Sequence, residues 1–155
     1  MHNKMIYIGT SGWSYKHWRG TFYSSEIKIK DHFSYYMRNF NTVEINNTFY
    51  KLPSEETFLN WKKNVSDDFV YVIKASRYIT HMKKLRDPDI SIPSFMDRVK
   101  LLGNKLGPIL FQLPPYMKPD LKIFEDFLKS LPKEYRYVFE FRNTDWYKRN
   151  LYFLK

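Results

Sequence analysis

An α/β fold built on a parallel sheet is what this chain predicts, and three observations predict it. Within 155 residues, five short apolar runs of strand length are each followed by a stretch of helical character. Alternation of this kind means parallel strands joined by right-handed crossovers. Polar or charged residues stand at the carboxyl ends of several runs, at Glu44 and Asn46, Lys74, Gln112, and Glu140 and Arg142. No segment repeats along the sequence, so a solenoid is not indicated. A closed eight-unit barrel usually needs about 250 residues. The chain therefore reads as an open parallel sheet or as an incomplete barrel of five units.

Taken in order, Met5 to Ile8 is the first apolar run, and Gly9, Thr10, Ser11 and Gly12 break it into a polar turn. A long loop then runs to Lys30, beyond the usual ~2–6 residues of a strand-to-helix connection. It carries Trp13, Tyr15, Trp18, Phe22 and Tyr23, with Lys16, His17 and Arg19 interleaved. Asp31 is the expected N-cap of a helix whose stripe is Phe33, Tyr36, Met37 and Phe40. Thr42 to Asn46 is the second strand. Ser54 caps the next helix, with Glu55 and Glu56 placed against its dipole and Phe58 and Trp61 on its buried side. Phe69 to Ala75 is the third strand. A helix begins at Pro93 or a neighbour, with Phe95, Val99 and Leu102 on one face, and Gly103 and Gly107 end it. Ile109 to Leu113 is the fourth strand, stopped by Pro114 and Pro115, which cannot continue a ladder. That bend is expected to be trans, since cis bonds occur at only about 5–6% of such positions. Asp120 caps a helix lined by Leu121, Phe124, Leu128 and Leu131, and Arg136 to Phe141 is the fifth strand. A last helix is expected from Thr144 to Lys155, carrying Trp146, Tyr147, Leu151, Phe153 and Leu154.

Composition narrows the class. Hydrophobic residues make up 43% and aromatics 19%, which is incompatible with disorder. The longest apolar runs are far too short to cross a bilayer, and no signal peptide opens the chain, so no membrane partner and a cytoplasmic location are expected. There is no cysteine, hence no disulfide framework and no thiolate metal site. The net charge of +10 suits nucleic acid or anionic ligands, but the lysines are spread along the chain as solvated faces are.

Side chains alternate along a strand, so parity can be read directly. Glu44 and Asn46 share one face, opposite Val43 and Ile45, and Glu140 and Arg142 share one, opposite Phe139 and Phe141. Charge is costly inside a sheet unless partnered, and parallel α/β folds place ligand sites at the carboxyl ends of their strands. Glu44, Glu140, Lys74 and Arg142 are therefore expected to share one cavity, unless they serve only as a buried ion-pair network. Two carboxylates there suit acid/base work or a divalent metal, and Lys74 and Arg142 suit an anionic group. His81 is a further ligand or proton-shuttle candidate, although a lone histidine in a loop is more often simply solvated. No metal-binding motif, serine triad, GxGxxG or Walker A is present, so no nucleotide cofactor is expected. The Trp13–Tyr23 loop suits stacking on a base or sugar, but its length favours a local aromatic mini-core.

These stretches, IGTSGWSYKHWRGTFY, FNTVEINNTFYKLPS, VIKASRYITH, KLGPILFQLPP and VFEFRNTDWY, run in one order across nearly the whole chain. Taken together they resemble the YecE-like family, a domain of unknown function in bacteria and archaea. The resemblance implies a TIM-like β/α barrel with its site at the strand carboxyl ends. It carries over Glu44, Glu140, Lys74 and His81 as catalytic candidates, and Ser11, Trp13, Asn46, Tyr50, Arg77, Gln112 and Arg142 as substrate-binding ones. Family members continue further, through arginine–histidine–glycine and asparagine–asparagine–aspartate motifs that are not found here. One domain, truncated relative to the family, is thus expected, with open sheet edges that favour self-association and with weakened catalysis. An enzyme of hydrolytic or lyase type on a polar anionic substrate, a nucleic-acid-binding module and an inactive member all remain open.

Overall fold

The computed structural model describes residues 6–148. Its strands are β1 (Thr10–Ser11), β2 (Thr42–Ile45), β3 (Val70–Lys74), β4 (Leu106–Leu113) and β5 (Tyr137–Phe141). Between them lie α1 (His32–Tyr36), α2 (Asn47–Tyr50), α3 (Glu55–Lys63), α4 (Pro88–Val99) and α5 (Leu121–Ser130). All five strands form one parallel sheet in the order β1-β2-β3-β4-β5. Strand order equal to chain order is how a barrel is laid down, whereas a doubly wound sheet reverses partway. The architecture is an incomplete TIM-like barrel, with β1 and β5 as the outer strands of the described sheet.

Parity positions the site. Val43, Ile45, Tyr71, Ile73, Ile109, Phe111 and Leu113 are buried and join Phe58 of α3, Phe95 of α4 and Phe124 and Phe127 of α5 in one core. The alternate residues face the other way, and the register pairs Ser11 with Glu44, Lys74 with Leu110, and Gln112 with Glu140. Two helix starts form as local chemistry requires. The Ser54 side chain accepts from the Thr57 amide at 3.3 Å, and Asp120 from the Ile123 amide at 3.1 Å.

Other expectations need correction. Pairing at the first strand falls on Thr10 and Ser11; Ile6 and Ile8 of the expected run are exposed, and its first residue, Met5, lies outside the described residues. The reason is a close approach: a Cβ on Gly9 would stand 2.2 Å from the Thr42 carbonyl oxygen, so only glycine lets the chain meet β2 here. Asp31 closes a 3₁₀ turn in αR geometry, and its side chain makes no capping bond. Pro88, not Pro93, opens α4; Pro93 lies inside the helix on its exposed side, where the carbonyl it leaves free can meet water. Gly103 takes φ 56° at the kink after α4, but Gly107 belongs to β4, packed so tightly that a Cβ would lie 2.4 Å from Val70 Cγ1. Leu113-Pro114-Pro115 is trans, as expected. A 3₁₀ turn occupies Thr144–Lys148, and the rest of the expected last helix lies outside the described residues.

The short first strand is held by a tyrosine. Tyr36 is fully buried; its hydroxyl accepts from the Thr10 amide at 3.0 Å and donates to the Thr42 carbonyl at 2.9 Å. Tyr36→Phe removes one atom and strands both groups. A loss of about 2 kcal/mol is expected, the usual cost of buried polar groups left unmatched, and urea denaturation would measure it.

Candidate functional site

The carboxyl ends of β3, β4 and β5 open onto a cavity of about 730 Å³ whose walls include Lys74, Arg77, His81, Gln112 and Arg142. Each arrives by a different local route. Lys74 is the last residue of β3 and Gln112 the penultimate residue of β4, both on the face turned away from the helices. Arg142 follows β5 directly. His81 sits in a π-helical turn, Tyr78–Met82, and not in an irregular loop. Lys84, Leu85 and Asp87 behind it adopt left-handed φ of 50°, 67° and 51°, a conformation non-glycine residues rarely accept. Buried Leu85 and the Lys83–Asp87 ion pair at 2.8 Å hold that segment.

Electrostatics here are one-sided. Neither Lys74 nor Arg77 has an ion pair among the described residues. Lys74 Nζ instead lies 5.2 Å from the centre of the Phe49 ring. Glu140 is tied to two residues of the cavity wall; Gln112 Nε2 donates to it at 2.6 Å and Arg142 Nε at 3.0 Å. Burial works against its ionisation, but those two hydrogen bonds and the Arg142 and Lys74 charges outweigh it and hold the carboxyl below its ordinary range. His81 is shifted down by burial first and then by Lys74 and Arg142, so its ring is neutral at physiological pH. Its Nδ1 lies 2.8 Å from the Thr80 hydroxyl, and its ring edge meets Phe49 with centroids 4.9 Å apart.

Glu44 does not join this cavity. It lines a separate recess of about 250 Å³ with Trp13 and Asn46. There Ser11 donates to Glu44 at 2.8 Å and accepts from Asn46 Nδ2 at 2.5 Å. The expected single cavity for both carboxylates is thus divided, although strand parity brings both to the expected face. The divider is α2, whose Asn47 borders the recess while Phe49 and Tyr50 border the cationic cavity. Tyr50 is exposed at the rim, as is Tyr116, which follows the proline bend. Sequence reasoning missed Phe49, Met82 and Tyr116 as lining residues; Phe49 lies within the NNTFY run, which is indistinguishable in pattern from a strand continuing. Trp13 packs on Phe33 at 4.6 Å, and Trp18, Phe22 and Tyr23 pack on one another, so the loop aromatics form a mini-core. Among the described residues no three His, Asp or Glu side chains gather as a metal site. No helix among those residues is long and apolar enough to cross a membrane.

Comparison with known proteins agrees with the fold. A family described as "Protein of unknown function DUF72" matches residues 7–155. The chain is 34% identical to the UPF0759 protein YecE of Escherichia coli K12, over 94% of this chain and 51% of that protein. It is 27% identical to the UPF0759 protein YunF of Bacillus subtilis, over 97% of this chain and 57% of that one. The chain spans about half the length of the curated relatives it matches. A crystal structure of a DUF72 family protein from Thermotoga maritima superposes with a TM-score of 0.80 at 31% identity, covering 94% of this chain and 58% of that one.

Proposed function

The chain belongs to the DUF72 family, and from that premise we propose that its cationic strand-tip cavity binds a small polyanion, on which the protein acts as a hydrolase or lyase. The observation that carries this reading is charge. Lys74 and Arg77, without ion pairs among the described residues, stand with Arg142 around one concave site whose volume of about 730 Å³ suits a small molecule. Lys74, half-buried and without an ion pair among the described residues, gains most from an anionic ligand. Neutral His81 is the proton acceptor, taking a proton from water or substrate while Thr80 engages its other nitrogen. Glu140, ionised, fixes Gln112 and Arg142 and does not act as the acid. Glu44, aligned by Ser11, offers an acceptor to a more distant part of the substrate.

Sulfate tests the reading, because it stays dianionic while His81 titrates. A bound dianion raises the His81 pKa above its depressed value in the free protein. The extra affinity of the protonated ring is then fully present below the free-state pKa and lost as pH rises through the bound-state pKa. Calorimetry at low salt should show affinity rising as pH falls from about 8 through the histidine range. His81→Gln should flatten that profile and keep the binding. No heat of binding at low salt would end the proposal. A second reading, a nucleic-acid-binding module without chemistry, is favoured by exposed Tyr50 and Tyr116 beside the cations. It requires an affinity for single-stranded oligonucleotides that falls steeply with salt.

A further inference from the structure

Thr80 and His81 are consecutive, yet Thr80 is fully buried while His81 lines the strand-tip cavity. The π-helical turn that carries them is anchored from inside by Ile79 and Leu85, both buried, and the Leu85 amide donates to the Ile79 carbonyl at 3.0 Å. The left-handed residues that follow persist only where their surroundings over-determine them, and that cost falls on the segment presenting His81. Thr80 Oγ1 has two partners, His81 Nδ1 at 2.8 Å and the Ser76 carbonyl at 3.4 Å. A hydroxyl carries one hydrogen. Turned to Nδ1, it would leave two oxygens facing each other at 3.4 Å with no hydrogen between them. Turned to Ser76, the usual back-bond of a threonine within a helical turn, it uses both contacts, because Nδ1–H then donates to the hydroxyl.

The other ring nitrogen is left free. Among the described residues the one buried side-chain nitrogen or oxygen without a partner belongs to His32, so the equally unpartnered Nε2 of His81 is reached by solvent from the cavity. We propose that Thr80 is a positioning residue of the strand-tip site, holding His81 with its hydrogen on Nδ1 so that Nε2 takes the proton. This rests on the reading of His81 as the proton acceptor. When Nε2 gains a proton nothing has to rearrange, since Nδ1–H keeps its acceptor and the hydroxyl keeps Ser76. The acceptor matters because the groups facing the ring oppose its ionisation: Lys74 from β3 and Arg142 after β5, with Arg77 of the same segment in the same cavity. The Phe49 and Tyr116 rings, with centroids 4.9 and 6.5 Å from that of His81, supply no acceptor in the plane of the imidazole.

Nitrogen-15 spectra of the histidine rings test this in the free, full chain, with the His81 signals identified by their loss in His81→Gln. At about pH 8, where an imidazole is neutral, Nδ1 should resonate as a protonated nitrogen and Nε2 as an unprotonated one. Thr80→Val keeps the shape and removes the acceptor, so the hydrogen should move to Nε2. Thr80→Ser should return it to Nδ1. In calorimetry at about pH 6, sulfate should bind Thr80→Val severalfold more weakly than the parent, because the ionised ring then has no acceptor for Nδ1–H. The rise in affinity should accordingly begin at lower pH, while Thr80→Ser keeps the parent profile. A parent ring with its hydrogen on Nε2, or a hydrogen that stays on Nδ1 in Thr80→Val, would overturn the role of Thr80 whether or not sulfate binds. The expected ring signals without any heat from sulfate would uphold that role and remove the anion from the cavity.

Discussion

Trp146→Ala is expected to remove about 4 kcal/mol of stability, in the usual range for emptying the site of a buried large aromatic. Trp146 is fully buried, stacked on Phe141 at 4.8 Å and 22°, and set edge-on to Phe124 at 5.2 Å. Its indole Nε1 donates to the Met117 carbonyl at 3.1 Å, so the substitution also orphans a buried acceptor. Domains of this size are stable by only about 5–15 kcal/mol, so the variant should melt many degrees lower. The effect should reach the site. Trp146 clamps the segment after the proline bend onto the end of β5, beside Arg142 and Glu140, and Asn143 ties the same two segments through Pro115 at 2.9 Å. Scanning calorimetry would measure the loss, and sulfate affinity measured well below the new midpoint should fall as well. Trp146→Phe, which keeps the stacking, should recover most of the stability and lose only the indole bond.

Lys74→Glu should weaken sulfate binding by about a hundredfold. The substitution removes a half-buried cation and places a carboxylate in a cavity otherwise bordered by Arg77 and Arg142. Changing the sign of a charge facing a dehydrated ligand costs more than removing a surface ion pair. Lys74 holds its ring contact through its ammonium and forms no ion pair among the described residues, so the fold should be little affected and an unchanged thermal midpoint is the control. Glu140→Gln should act in the opposite direction, strengthening the anion affinity severalfold while loosening Arg142. A Lys74→Glu protein that binds sulfate within about threefold of the parent would place the anion elsewhere, since surface charges alone shift affinity by that much.

What could be read from the sequence was local or periodic. The caps at Ser54 and Asp120 are legible because each needs only the three or four residues after it. The parity of Glu44 against Val43 and Ile45, and of Glu140 against Phe139 and Phe141, is legible because a strand alternates whatever surrounds it. The first strand is not. Its two paired residues depend on Gly9 touching Thr42 and on the Tyr36 hydroxyl, contacts across 33 and 26 positions of chain that no window contains. Pro88 and Pro93 both satisfy the rule for an early helical proline, and only the left-handed Asp87 before Pro88 decides between them. The division of the tips into two recesses was hidden for a related reason. The four residues of α2 follow β2 without a break in pattern, and their turn away from the sheet separates Glu44 from Lys74. Side-chain direction was legible, but the partition of space between side chains was not.

The agreement of sheet order with chain order has a consequence for how the molecule assembles. Each strand docks on the one made just before it, so no pairing has to wait for a distant segment, and every loop to be closed is of similar, modest length. Assembly of this kind can advance from the amino-terminal side while the rest of the polypeptide is still emerging from the ribosome, each added unit covering the edge left by its predecessor. Protection should not be uniform along the result. Amides of β3 and β4, enclosed on both sides, should exchange with solvent only when the whole structure opens, whereas those of the two-residue β1 should exchange through local fraying.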